Sequence, residues 1–111
     1  MPTDPASPLA PLTQRAREIR AAFDAHNTAA GRPTWTPLQL AQGFSADVGA
    51  LNKLLMMRAG LREAPPDLDA RLAHELADCL WSILVLADAH GIDLEKSFHN
   101  TMDSLEAKLR P

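Results

Sequence analysis

Three acidic residues stand where this chain is otherwise apolar. Glu75 and Asp78 lie three residues apart in His74-Glu75-Leu76-Ala77-Asp78-Cys79-Leu80-Trp81, within a segment built from Leu72, Leu76, Leu80, Ile83 and Leu86. Residues i and i+3 of a helix project from nearly the same face, so this spacing sets the two carboxylates side by side. Asp47 occupies a second apolar run, Ala46-Asp47-Val48-Gly49-Ala50-Leu51. Burying an unpaired carboxylate is costly, which leaves two uses for such residues. Either they hold a hard divalent cation such as Mg²⁺, which prefers oxygen ligands, or they pair with Lys53, Arg58, Arg62 or Arg71 at the edge of a helical bundle. Spacing alone does not choose between them.

Nearby side chains extend the chemistry. Lys53 follows Ala50 by three residues, near the same helical face, where it can serve as a point charge for phosphate or as a surface partner for an acid. Asn52 suits a base or ribose contact, or plain solvation. Trp35 offers an aromatic face on which any nucleobase stacks, or a cover for the end of a bundle. His74 reads as solvent-facing or hydrogen-bonded. His26, His90, His99 and Cys79 show no zinc-ligand spacing. Asp93, just after Gly91, reads as a helix cap rather than a ligand.

The elements that position these residues are helices. Leu12, Ala16, Ile19 and Phe23 recur at helical spacing, which predicts a first helix over 12–29, ended by Gly31-Arg32-Pro33. Thr36-Pro37-Leu38-Gln39 joins an N-cap Thr, a Pro at the first helical position and a Gln at the third, so a capping box starts a second helix near Pro37. Gly60 stops it, and the internal Gly43 and Gly49 weaken it by about 1 kcal/mol each relative to Ala. Pro65-Pro66-Asp67 introduces a third helix running to Ala89 or His90, apolar almost all round from Leu76 to Ala87 and therefore expected to be the buried one. Gly91 and Asp93 lead into a fourth, with Leu94, Phe98, Met102, Leu105 and Leu109 on one stripe. Strand-like alternation is absent. The fold expected is all-α, a four-helix bundle over 12–111 preceded by a mobile Pro-rich leader over 1–11.

Composition narrows the partners. The chain has 111 residues, enough for one core, with 46% apolar and 23% charged residues and a formal net charge of −3. Its eleven Lys and Arg are scattered rather than striped, which argues against a nucleic-acid surface. No apolar run has membrane-spanning length and no signal-peptide pattern opens the chain, so a cytoplasmic protein off the membrane is expected. The lone Cys79 fits a reducing compartment. Met56, Met57 and Trp81 exceed what one small bundle covers, which predicts a homodimer or larger homo-oligomer.

In order and distance, Asp47-Val48-Gly49-Ala50-Leu51, Glu75-Leu76-Ala77-Asp78 and Gly91-Ile92-Asp93-Leu94-Glu95 resemble the motifs of the MazG-like all-α nucleotide pyrophosphohydrolase superfamily. The resemblance runs from about Trp35 to Leu109. It implies a helical dimer or tetramer that binds Mg²⁺, or Mn²⁺, through acidic motifs and cleaves a nucleoside triphosphate between its α and β phosphates, giving a monophosphate and pyrophosphate. Carried over by position, Asp47, Glu75 and Asp78 are the metal ligands and catalytic acids, with Lys53, Trp35 and Asn52 as candidate substrate contacts. The chain departs from the pattern at Ala46 and Ala50, where members carry acids, and at Thr101 and Leu105, where many carry a phosphate-binding Lys and an Asn. The alternative expectation is a weakened or inactive module that binds nucleotide or a protein partner without turnover.

Overall fold

The computed structural model describes residues 2–111, among which there are four helices and no strand: α1 Ala10–Ala29, α2 Pro37–Arg58, α3 Leu68–Ala89 and α4 Leu94–Leu109. None of these helices is long and apolar enough to cross a membrane. The chain divides into two compact units. One comprises the segment through Thr34 with Leu84–Pro111; the other is Trp35–Ile83, so α3 supplies residues to both.

The capping chemistry read from the sequence is present. The Thr36 hydroxyl accepts the Gln39 N–H at 3.2 Å, and the Gln39 side chain accepts the Thr36 N–H at 2.9 Å, with Pro37 beginning α2. Asp93 caps α4 by accepting the Lys96 N–H at 3.1 Å. At the ends of α2 and α3, Gly60 and Gly91 take φ of 79° and 64°, a left-handed turn that side-chain-bearing residues resist. There the N–H groups of Leu61 and Ile92 reach back to the carbonyls of Met56 and Ala87, both at 2.9 Å, filling acceptors each helix end leaves open.

In the first unit, α1 begins at Ala10, two residues before the expected Leu12. The reason is local: Pro11 lies in the first turn, where its missing N–H costs nothing, and the preceding residues are already turned. Asp4 accepts the Ala6 N–H on its side chain and the Ser7 N–H on its carbonyl, both at 2.9 Å, and the Ser7 hydroxyl accepts the Leu9 N–H at 3.1 Å. The core of this unit includes Ala16, Leu84, Val85 and Ala87, with Val85 only 2% exposed. Arg17 and Asp88 form a two-pronged ion pair, one prong at 3.2 Å, which holds Asp88 below the usual carboxylate range. α4 carries its apolar stripe as expected, yet none of its residues is buried.

In the second unit, Leu40, Leu54, Leu68 and Cys79 form the buried apolar positions. Arg58 pairs with Asp69 at 2.7 Å, joining the end of α2 to the start of α3, as two antiparallel helices with a short connection require. The Trp35 indole lies over Gly43, its Cζ3 about 3.0 Å from where a side chain would begin, so the first helix glycine provides room for a ring. Gly49 faces open space. The expectation of a wholly buried α3 is corrected here: Leu76 is 56% exposed, and Leu80 and Ile83 are exposed with it. Those residues recur at i, i+4 and i+7, one exposed stripe, which periodicity cannot reveal in a helix apolar all round.

Candidate metal and phosphate groove

α3 brings Glu75, Asp78 and His74 together. One ligand atom from each lies within 4.8 Å of the others, with both carboxylates half-buried and the imidazole exposed. His74 Nε2 is 3.1 Å from an Asp78 carboxylate oxygen, one turn along the helix. Glu75 is different, for its Oε2 is buried with no hydrogen-bond partner among the described residues. Two of the four basic residues that offered the alternative use are engaged elsewhere, Arg58 with Asp69 and Arg71 with Asp67 at 3.0 Å.

Asp47, on α2, is not among the three residues whose ligand atoms lie within 4.8 Å of one another, and its link to them is electrostatic. The Cys79 thiol is pushed above its ordinary value first by burial, then by the negative charges of Asp47, Glu75 and Asp78. The three carboxylates thus act electrostatically on one buried thiol, and both burial and their charge disfavour its thiolate.

Beside Glu75 an open groove of about 470 Å³ runs between α2 and α3. Ala50, Lys53 and Met57 line one wall; Asp67, Arg71 and Glu75 line the other. Lys53 thus shares a groove with an acid of the cluster, as its spacing from Ala50 allowed, and Ala50 presents a methyl group where the resembled pattern has a carboxylate. Asn52 is exposed and Trp35 half-exposed, and neither lines the groove. Thr101 and Leu105 are exposed on α4. Two residues that sequence reasoning left aside also belong here. His74 stands one turn from Asp78, and Arg71 stands midway between Asp67 and Glu75 at four-residue steps, a signal present in the spacing.

The donor set fits a small divalent cation. A buried oxygen without a donor lies beside a second carboxylate within 4.8 Å, and oxygen donors suit Mg²⁺, while an imidazole at the edge also suits Mn²⁺. No family model, curated protein or solved structure matches this chain.

Proposed function

We propose that this chain is a MazG-like, Mg²⁺-dependent nucleoside triphosphate pyrophosphohydrolase that yields a monophosphate and pyrophosphate. The observation that carries the reading is the buried, unpartnered Glu75 oxygen close to Asp78, in a residue that lines a groove shared with Lys53. Glu75, Asp78 and Asp47 would hold the ion. Mg²⁺ bound there supplies positive charge against the phosphate oxygens and lowers the pKa of a bound water. A cluster carboxylate orients the attacking water and takes its proton, as the α phosphorus–oxygen bond forms and the bond to the bridging oxygen breaks. His74 fixes the orientation of Asp78 through their 3.1 Å contact, the role commonly taken by groups just outside a ligand set. Lys53 offsets charge on the departing phosphates. Trp35, half-exposed, offers its free area to a base.

The exposed stripe Leu76, Leu80 and Ile83 supports a homodimer or homotetramer, since a second copy would cover apolar surface that a lone chain leaves wet. A second reading has its own observation. Ala50 on the groove wall removes one carboxylate, which favours a module that binds nucleotide without turning it over.

The deciding experiment incubates the protein with Mg²⁺ and a panel of ribo- and deoxyribonucleoside triphosphates, resolving products by ion-exchange chromatography beside Glu75→Gln. Monophosphate and pyrophosphate in equal amounts, lost in the variant, support hydrolysis. No product across the panel rejects it, and a melting-temperature rise with triphosphate then favours the binding module.

A further inference from the structure

The groove has a direction. The Arg58–Asp69 pair fixes α2 and α3 as antiparallel at one end, and along the α3 wall of the groove Asp67, Arg71 and Glu75 follow one another at four-residue steps. Lys53 on α2 and Arg71 on α3 both line the groove, on the side of the acids nearer the α2–α3 connection. Arg71 precedes Glu75 by four residues, a rise of about 6 Å along the helix. Trp35 and Gly43 lie on the other side of Asp47 along α2.

We infer that Lys53 and Arg71 form the diphosphate end of this groove, receiving the β and γ phosphates and then the leaving pyrophosphate, with Asp67 as a competing partner that Arg71 exchanges for phosphate. The inference rests on the triphosphate reading above and deepens it. Both cations are exposed, so neither needs to leave a buried position to meet a ligand. The Arg71–Asp67 pair is exposed on both sides and therefore weak, cheap to exchange for a doubly charged oxyanion. Asp67, also on the groove wall, becomes a brake: it holds Arg71 in place between turnovers and repels the phosphate that displaces it.

Charge fixes the order of binding. Among the charged residues lining the groove, Asp67 and Glu75 offset Lys53 and Arg71, while Asp78 beside Glu75 adds a further negative charge at the acid end, so a divalent cation must offset the acids before a polyanion binds. Free pyrophosphate is thus repelled, and pyrophosphate with Mg²⁺ is accepted. A ligand with a single phosphate reaches the acid end alone and gains nothing from Arg71.

The test is calorimetric titration of the full chain with inorganic pyrophosphate, with and without Mg²⁺. Binding is expected only with Mg²⁺. Lys53→Gln and Arg71→Gln should each weaken it on the order of tenfold, the loss of one charge-assisted hydrogen bond. Asp67→Asn, which removes the competing charge and keeps the side chain's shape, should tighten it severalfold, a gain that no misfolding produces. Arg62→Gln, outside the groove, is the control and should match the parent protein. The inference is overturned if pyrophosphate with Mg²⁺ does not bind, if Arg71→Gln binds as the parent does, or if Asp67→Asn weakens binding. Triphosphate hydrolysis measured separately on the same proteins isolates the underlying reading: turnover with an indifferent Arg71 overturns this direction alone, and pyrophosphate binding without turnover overturns hydrolysis alone.

Discussion

Replacing Glu75 with Gln should make the metal-free protein more stable, the reverse of what removing a structural ion pair does. Glu75 and Asp78 place carboxylate oxygens within 4.8 Å of each other, and the Glu75 Oε2 has no donor. Two unit charges at that separation repel by about 1 kcal/mol in water-like surroundings and by about 3 to 4 kcal/mol at an effective dielectric near 20. Both side chains are half-buried, which favours the lower figure, and a neutral amide of the same shape relieves that repulsion. A gain of about 1 kcal/mol raises the midpoint of a chain this size by about 4 °C. With Mg²⁺ the order reverses. At about 10 mM ion and a dissociation constant of about 1 mM, binding stabilises the parent protein by about 1.4 kcal/mol, and the variant should lose most of it. Circular-dichroism melts in chelator and in Mg²⁺, at matched ionic strength, read both numbers. If Glu75→Gln melts lower in chelator and responds to Mg²⁺ as the parent does, the acids are structural and the metal reading fails.

Three further outcomes follow from geometry outside the groove. Arg17 lowers the pKa of Asp88 in the folded state, so the pair's stabilisation is complete above the unfolded carboxylate range near about pH 4 and is lost as pH falls through the lower folded value. Arg17→Gln should cost no more than about 1 kcal/mol at neutral pH, because Arg17 is half-exposed, and should flatten the acid limb of a stability profile measured by urea titration. Gly49→Ala should stabilise α2 by about 0.5 to 1 kcal/mol, since a methyl group there meets open space. Gly43→Ala should gain less, because the Trp35 ring must move aside; equal midpoints for the two variants in urea would contradict that packing.

What was legible in the sequence was chemistry acting over a few residues. The Thr36–Gln39 box, the Asp93 cap and the turns at Gly60 and Gly91 each depend on side chains within one helical turn, so their spelling suffices. The pairing of Glu75 with Asp78 was legible for the same reason. The α1 start was displaced because Asp4 and Ser7 build turns whose hydrogen bonds carry no periodic signature. The uncovered stripe at Leu76, Leu80 and Ile83 was hidden by apolar residues on every side of that helix. Arg71 was read only as an ion-pair partner, and its place in the groove emerged with the register between α2 and α3, a property of two distant segments together.

α4 has sixteen residues, a cap at its start and not one buried side chain. Isolated helices of that length are marginal in water, where nucleation is unfavourable and packing supplies most of the stability. Its amides should therefore exchange with deuterium among the earliest in the protein, through openings far smaller than global unfolding. Covering the stripe of Phe98, Met102, Leu105 and Leu109 would slow that exchange. Were a second copy to provide that cover, the order of the last helix would depend on protein concentration, and far-ultraviolet ellipticity followed through dilution would report it.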